Sequence, residues 1–459
     1  MVTMEPNHKM LAAVALLALA FTITLPAIDN GFSLDDYNWL ARVSFRSSTV
    51  AFLLTPEPGQ FVNFGARGMW LAAFTGFGLE PMPYHALLLL LHGAVVLLLW
   101  RMASETFDAD VGLLAAALFC AQTAGAEAIF WFAASPHVLV SALVLAGTFG
   151  IVRYLATDSA KALTGGLIAV GAALLTKGTA FAVLPVAAGW TAICGSEPRR
   201  RRATAVFGLG LAAVAAIALN LAVWGGESYL VERGLYRFGV HMFSNTATSV
   251  GMVVLPWTGI AAELDLSDAL ASARVAAGVA GLVAGVAILI VGSGRLRWWT
   301  ALAAFSLAPT LPFAMNPTSR YVYLPSAAAS VLAAVVFRRA IRRRGLRLAM
   351  VAALCLAALI DMRLRDNHFE YRERLMRDMV AGITTALPAP PADGVVQMAG
   401  LPRLGLDPGI HLEAALQIAW RDPSIRFELV PDDQADRPGI LRWRDGRIIA
   451  GTTESPSAD

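Results

Sequence analysis

Two adjacent carboxylates, Asp35 and Asp36, stand in the run Phe32-Ser33-Leu34-Asp35-Asp36-Tyr37. Such a pair can divide labour, one group accepting a proton while the other holds a cation or fixes the geometry. Alone, the pair reads more simply as the solvated entry to a loop. The other ionisable groups change that weighting. Glu127 lies in Ala126-Glu127-Ala128-Ile129-Phe130-Trp131, His137 follows shortly after it, Lys177 sits in Leu175-Thr176-Lys177-Gly178, and Arg320 precedes Tyr321-Val322-Tyr323-Leu324-Pro325. All of them flank long apolar runs. Charges so placed are costly unless they pair or face a cavity, which makes each a candidate for function. Lys177 and Arg320 can also be read as side chains reaching out to lipid headgroups. That reading suits either cation alone better than it suits a set of charged groups gathered at one surface.

The elements that must position these groups are built for lipid. The chain of 459 residues is 57% hydrophobic and 15% charged, against roughly 25% charged in soluble domains, and its mean hydropathy is +0.61. A soluble globule is excluded. Apolar runs of about 20 residues, enough to cross ~30 Å of hydrocarbon, fall near 10–28, 84–101, 111–126, 136–155, 162–176, 178–194, 203–224, 273–292, 299–314, 321–337 and 346–362. Eleven transmembrane helices are expected, the first of them an uncleaved helix and not a signal peptide. Lys9, Arg101, Arg153, Lys161, 199–202, Arg295, Arg297 and 338–347 all fall on one side, which the positive-inside rule makes cytoplasmic. The N-terminus is then cytoplasmic, and Asp35, Asp36, Glu127, His137, Lys177 and Arg320 face outward, at a bacterial inner or cytoplasmic membrane. Two outer segments, 39–77 and 236–262, are apolar but interrupted by Pro and Gly, as in interfacial or re-entrant pieces. Arginines in short loops do not form a nucleic-acid-binding face, and Cys120, Cys194 and Cys355 lie in apolar runs, which suggests neither a disulfide nor a metal site.

Beyond 362 the composition turns ordinary. Apolar positions at Leu364, Phe369, Tyr371, Leu375, Met379 and Ile383 predict an amphipathic helix over 363–387. A strand at 395–398, a helix at 411–420, a strand at 425–430 and a hairpin at 441–443 and 447–450 predict a small α/β domain of about 70 residues outside the membrane. That is near the size at which a core is marginal alone, so it is expected to lean on the membrane part. The organisation is therefore an all-α polytopic domain over 1–362 with an outer loop at 29–83, an α/β unit over 363–452 and a disordered tail at 453–459. His85 and His92, seven residues apart on one face, read as hydrogen-bonded structural histidines, with His85 close enough to the outer surface to keep a site role. Tyr84 and Trp131 sit where interfacial aromatics collect.

Five segments resemble the GT-C membrane glycosyltransferases, in particular the group of protein O-mannosyltransferases and their relatives with a TPR-bearing tail. They are FSLDDYNW, GLEPMPYHALLLLLHG, AEAIFWFAASPHVL, LLTKGTAFAVLP and SRYVYLPS, in the family's order over 32–326. SRYVYLPS is the most specific. Departures are Gly178 where the family has Glu after Lys, Ser319 where it has Glu before Arg-Tyr, and His137 where it has Asp; the tail shows no TPR repeat. The resemblance implies a polyprenyl-phosphate sugar donor and an acceptor hydroxyl on a protein, lipid or glycan. It makes Asp35 the base, with Asp36 and Glu127 as further catalytic candidates. Lys177, Arg320 and Tyr321 are candidates for the donor phosphate, and His137, Tyr84, His85 and Trp131 for substrate contact. Direct attack with a single base would invert the anomeric carbon. Monophosphate donors make a metal dispensable, although Asp35, Asp36 and Glu127 have the donor chemistry for a divalent cation. The rival expectation is a transporter or flippase of a lipid-linked saccharide. Such folds often carry paired halves with broken helices, and no repeat relates the halves here. A third is an assembly subunit whose Asp-Asp loop binds a partner.

Overall fold

The computed structural model describes residues 5–450 except 56–62, 183, 187–188, 190–197, 224–228, 316–317, 402–407, 435–436, 438 and 445. Among the described residues, seven helices are long and apolar enough to cross a membrane: Asn7–Asp29, Pro81–Thr106, Phe132–Thr157, Arg199–Ala222, Ser267–Val291, Ser319–Ala340 and Arg344–Ala386. The chain is a multi-pass integral membrane protein. Three further expected spans are shorter. Ala109–Cys120 and Ala160–Leu174 are apolar helices below spanning length, and 299–314 is the helix Gly294–Leu307 followed by a 3-10 turn at Ala308–Thr310. About half of the expected span at 178–194 and the whole tail at 453–459 lie outside the described residues. The early end of Ala109–Cys120 has a polar cause. Gln122 Nε2 donates to Val253 O at 2.8 Å and Thr123 Oγ1 to Asp361 Oδ2 at 2.6 Å, contacts that a straight helix could not make.

Small residues let the helices meet backbone to backbone, the usual device where lipid supplies no hydrophobic drive. Phe132–Thr157 packs on Ala160–Leu174 through Gly147, Gly150 and Gly166, where a Cβ on Gly150 would lie 2.7 Å from Gly166 Cα. His241–Val254 and Ser267–Val291 meet the same way, a Cβ on Gly278 lying 1.9 Å from Ala247 O. The two ends of the bundle differ in chemistry. At one end Arg201 pairs with Asp158 at 3.2 Å, Arg347 with Asp110 at 3.6 Å and Arg338 with Asp108. Asp35, Glu127 and Arg320 gather at the other. The expected interfacial segments break into short helices, Asp35–Ser44, Thr49–Leu54 and Phe64–Phe77 in the first, His241–Val254 and Thr258–Glu263 in the second.

The last span and the amphipathic helix form one 43-residue helix, Arg344–Ala386, about 65 Å long. A buried polar knot fixes its departure from the bundle. Asp361, fully buried, accepts from Thr123 Oγ1 at 2.6 Å, Ile260 N at 3.0 Å and Arg365 Nε at 2.8 Å, and Arg365 also donates to Pro256 O. The C-terminal sheet has the order β2-β1-β3-β4, with β1 Val395–Ala399, β2 Arg426–Leu429, β3 Leu441–Arg444 and β4 Arg447–Ala450. β1 runs parallel to β2 and β3, and β3–β4 is the expected hairpin. The sheet does not close its core alone. Val396, Met398, Leu412 and Leu416 share one buried cluster with Met376, Met379 and Ile383 of the long helix, and with Leu34 and Trp131 of the membrane part.

Candidate active site

The Asp-Asp run opens the helix Asp35–Ser44, and the two carboxylates meet different surroundings. Asp36 is fully buried. Its Oδ2 accepts from Ser33 N at 2.9 Å and its Oδ1 from Ala133 N at 2.7 Å, while Trp131 Nε1 donates to Ser33 O at 3.1 Å. Burial drives the Asp36 carboxyl well above the usual carboxylate range, against the two amides, which favour its charged form. Asp36 therefore fastens its loop to the turn 131–133. Asp35 points elsewhere: 43% of its side chain is exposed, and Asn38 Nδ2 donates to its Oδ1 at 3.3 Å. Leu34, between the loop and this helix, has φ 48° and ψ −117°, a conformation that costs a leucine energy and survives only where packing over-determines it. Leu34 is held in the buried cluster shared with the C-terminal domain.

Exchange of Asp36 for Asn tests this division. An amide offers one acceptor and one donor to two N–H groups, so one buried donor loses its partner, a loss of about 1–3 kcal/mol. Thermal unfolding in detergent should show Asp36→Asn clearly less stable than wild type. An unchanged midpoint would refute the fastening role.

Glu127 and Arg320 are joined. Glu127 Oε1 meets Arg320 Nη1 at 3.2 Å, its Oε2 accepts from Arg320 N at 3.2 Å, and its own amide donates to Ser319 Oγ at 3.2 Å. The guanidinium lies over Trp131, 5.0 Å from the ring centroid, and over Tyr321 at 5.3 Å. Trp131 is thus the hinge of the site, holding the Asp-Asp loop through its N–H and Arg320 through its ring. Arg320 lies within electrostatic reach of Asp35, and His137 within that of both Lys177 and Arg320. His137, 6% exposed, packs edge-on against Tyr321 at 5.1 Å. A cleft of about 340 Å³ including its open mouth is lined by His137, Arg320, Tyr321, Ser141, Thr179 and Thr310 among others. Lys177 is half-buried at the turn before Gly178–Ala182.

The structure moves some candidates away from the cleft. Tyr84 is fully buried, donates to Gly78 O at 2.6 Å and packs with Phe32, Trp70 and Phe132. His85 is buried beside the Gly31 backbone. Both read as support for the loop. His92 shares a 2.6 Å hydrogen bond with the Tyr323 hydroxyl, as expected of a structural histidine. Asp35, Asp36 and Glu127 do not assemble a cation site: among the described residues no group of three His, Cys, Asp or Glu side chains is placed to hold a metal ion. Sequence reasoning missed Glu373, whose Oε2 accepts from Gly31 N at 2.8 Å, and His411, 3.5 Å from Asp35. Neither lies in a motif, and both come from the C-terminal region.

The helical membrane bundle carries at one end a short helix that opens on paired carboxylates, with the small α/β unit packed on the same end. The solved structures similar to it are specific. The Archaeoglobus fulgidus oligosaccharyltransferase in its apo form aligns over 95% of this chain and 67% of its own, with 12% identity and a TM-score of 0.57. The same organism's enzyme AglB, in complex with an inhibitory peptide and a dolichol-phosphate, aligns over 89% and 63%, with 14% identity and a TM-score of 0.52. ArnT from Cupriavidus metallidurans, in the apo state, aligns over 94% of this chain and 93% of its own, with 13% identity and a TM-score of 0.54. The chain thus spans about two thirds of the archaeal protein and nearly all of ArnT. At these identities the likeness is one of fold. No family model matches the sequence, and no curated protein matches it.

Proposed function

We propose that the chain is a membrane glycosyltransferase that moves a sugar from a polyprenyl-phosphate donor to an acceptor hydroxyl on the extracytoplasmic side. The observation that carries this reading is an open carboxylate, Asp35, and a sheltered guanidinium, Arg320 clasped by Glu127, both held at one turn of chain around Trp131. The fold's neighbours support the donor class, since one was solved with a dolichol-phosphate. The acceptor oxygen attacks the anomeric carbon and its proton passes to Asp35. The bond to the phosphate breaks, and the electron pair leaves with the polyprenyl phosphate. Arg320 and Lys177 face that growing charge as fixed cations held by the protein. One base and one displacement invert the anomeric centre. A neighbour in fold was also solved with zinc and sulfate; among the described residues no three ligand-type side chains gather to hold an ion, and no step is assigned to one. Glu127, engaged by Arg320, orients the cation and is not the base.

Two measurements test the reading. Purified protein in nanodiscs, given a panel of labelled polyprenyl-phosphate hexoses with cell-envelope acceptors, should release polyprenyl phosphate and transfer the label. A transporter would leave every label on its lipid, and that result would overturn the assignment. Orientation is checked separately. A cysteine at Asp433 should react with an impermeant maleimide on intact cells and one at Arg343 should not; the reverse pattern would put the site on the cytoplasmic face.

A further inference from the structure

Three contacts connect the C-terminal domain to the Asp35 carboxylate. The helix Pro408–Trp420 packs along Asp35–Ser44, and its residue His411 brings Nδ1 to 3.5 Å from Asp35 Oδ1. Asn38 Nδ2 stands 3.1 Å from the same nitrogen and 3.3 Å from Asp35 Oδ1. Only 12% of the His411 side chain is exposed, against 43% for Asp35. The imidazole thus lies on the sheltered side of the carboxylate and leaves the other side open.

An ionised carboxylate only accepts, so Asn38 turns its NH₂ group toward Asp35, and the second hydrogen of that group is aimed at His411 Nδ1, which a neutral ring can accept. Protonated at Nδ1, the ring would instead displace Asn38 and donate to Asp35. Asp35 Oδ1 and His411 Nδ1 are thus placed to exchange a proton with only Asn38 giving way.

We propose that His411 is a positioning and proton-relay residue for Asp35, so that the C-terminal domain completes the active site; this rests on the glycosyl-transfer reading above. As the acceptor oxygen bonds to the anomeric carbon, its O–H bond breaks and the proton goes to Asp35. The proton then passes to His411 Nδ1 and Asp35 returns to its carboxylate form, and the imidazolium gives up one proton to the medium before the next turnover. Other charges near the helix of His411, among the described residues, come from three elements. The helix Asp35–Ser44 adds Asp36, Tyr37 and Arg42. The long helix adds Glu370 and Glu373, paired with Arg374 at 2.5 Å and Arg377 at 3.1 Å. β2 adds Glu428, hydrogen-bonded by Gln397, and Arg426, 3.9 Å from Glu413 of His411's own helix.

The test follows the His411 imidazole by NMR in the full-length protein, assigned by its disappearance in His411→Gln, which keeps the side chain's size and a donor. Removing the facing charge in Asp35→Asn should lower the His411 titration midpoint by about one pH unit or more. In His411→Gln, kcat should fall roughly tenfold, less than for loss of the base itself, with the donor KM unchanged. The acid-side fall in activity should also move to lower pH, because no imidazolium can then pair with Asp35. An unmoved midpoint, or His411→Gln with wild-type kcat and pH profile, would overturn the relay. A shifted midpoint in a wild-type protein that turns over no polyprenyl-phosphate sugar would instead overturn the transfer reading and leave the Asp35–His411 pair standing.

Discussion

Asn in place of Asp35 should give a folded, donor-binding protein whose transfer rate has dropped by about 10²–10⁴-fold, the usual effect of losing a positioned base. The fold should survive because this carboxylate, unlike Asp36, is not buried and receives no backbone amide; its contacts are the side chains of Asn38 and His411. Donor binding should survive because, on the proposed function, the phosphate is met by Arg320 and Lys177 and not by Asp35. The decisive measurement is single-turnover transfer from prebound donor, which separates chemistry from binding. A rate within a few fold of wild type in a well-folded Asp35→Asn protein would remove Asp35 from the reaction.

Arg320→Lys is the second large effect, with kcat/KM for the donor expected to fall about 10–100-fold although the charge is kept. The guanidinium is clasped between the Trp131 and Tyr321 rings and pinned by Glu127 at 3.2 Å. A planar cation can stack on two rings and still present a fork of donors to a phosphate, whereas an ammonium is a hydrated point charge. Lost stacking contributes about 0.5–2 kcal/mol, and the lost charge-assisted hydrogen bond adds a similar amount. Headgroup snorkelling predicts near silence, since Lys reaches lipid phosphates as well as Arg. Comparing donor affinity with turnover in Arg320→Lys, beside Glu127→Gln, decides the matter: a silent Arg320→Lys moves the phosphate site elsewhere.

What the sequence carried and what it did not follow from separation along the chain. The β-strands, the helix at 411–420 and the hairpin were readable because period-two alternation and an Asp-Gly turn are local signals. The apolar spans were readable for the same reason, but their ends were not. Ala109–Cys120 stops where Gln122 and Thr123 find partners at Val253 and Asp361, residues that no local pattern connects. The site divides likewise. Arg320 beside Glu127 was approached from motif order, while the split between Asp35 and Asp36 depends on Ala133 N, and the supports from Glu373 and His411 come from a part of the chain without motifs. One signal was available. An amphipathic helix directly continuing the last span must emerge on the face it leaves, which places whatever follows beside the first outer loop.

The bond from Gly31 N to Glu373 joins residues 342 positions apart, and it sets a timetable for biogenesis. Synthesis proceeds at about 5–20 residues per second, so the Asp-Asp loop leaves the ribosome roughly 20–70 s before the helix that will grip it. Throughout that interval the loop has no Glu373 at Gly31, no His411 at Asp35 and none of the apolar surface that holds Leu34 in its strained turn. On the proposed function, a half-made chain carries Asp35 in a loop without its supports, and the site is completed only when the C-terminal region reaches the bundle.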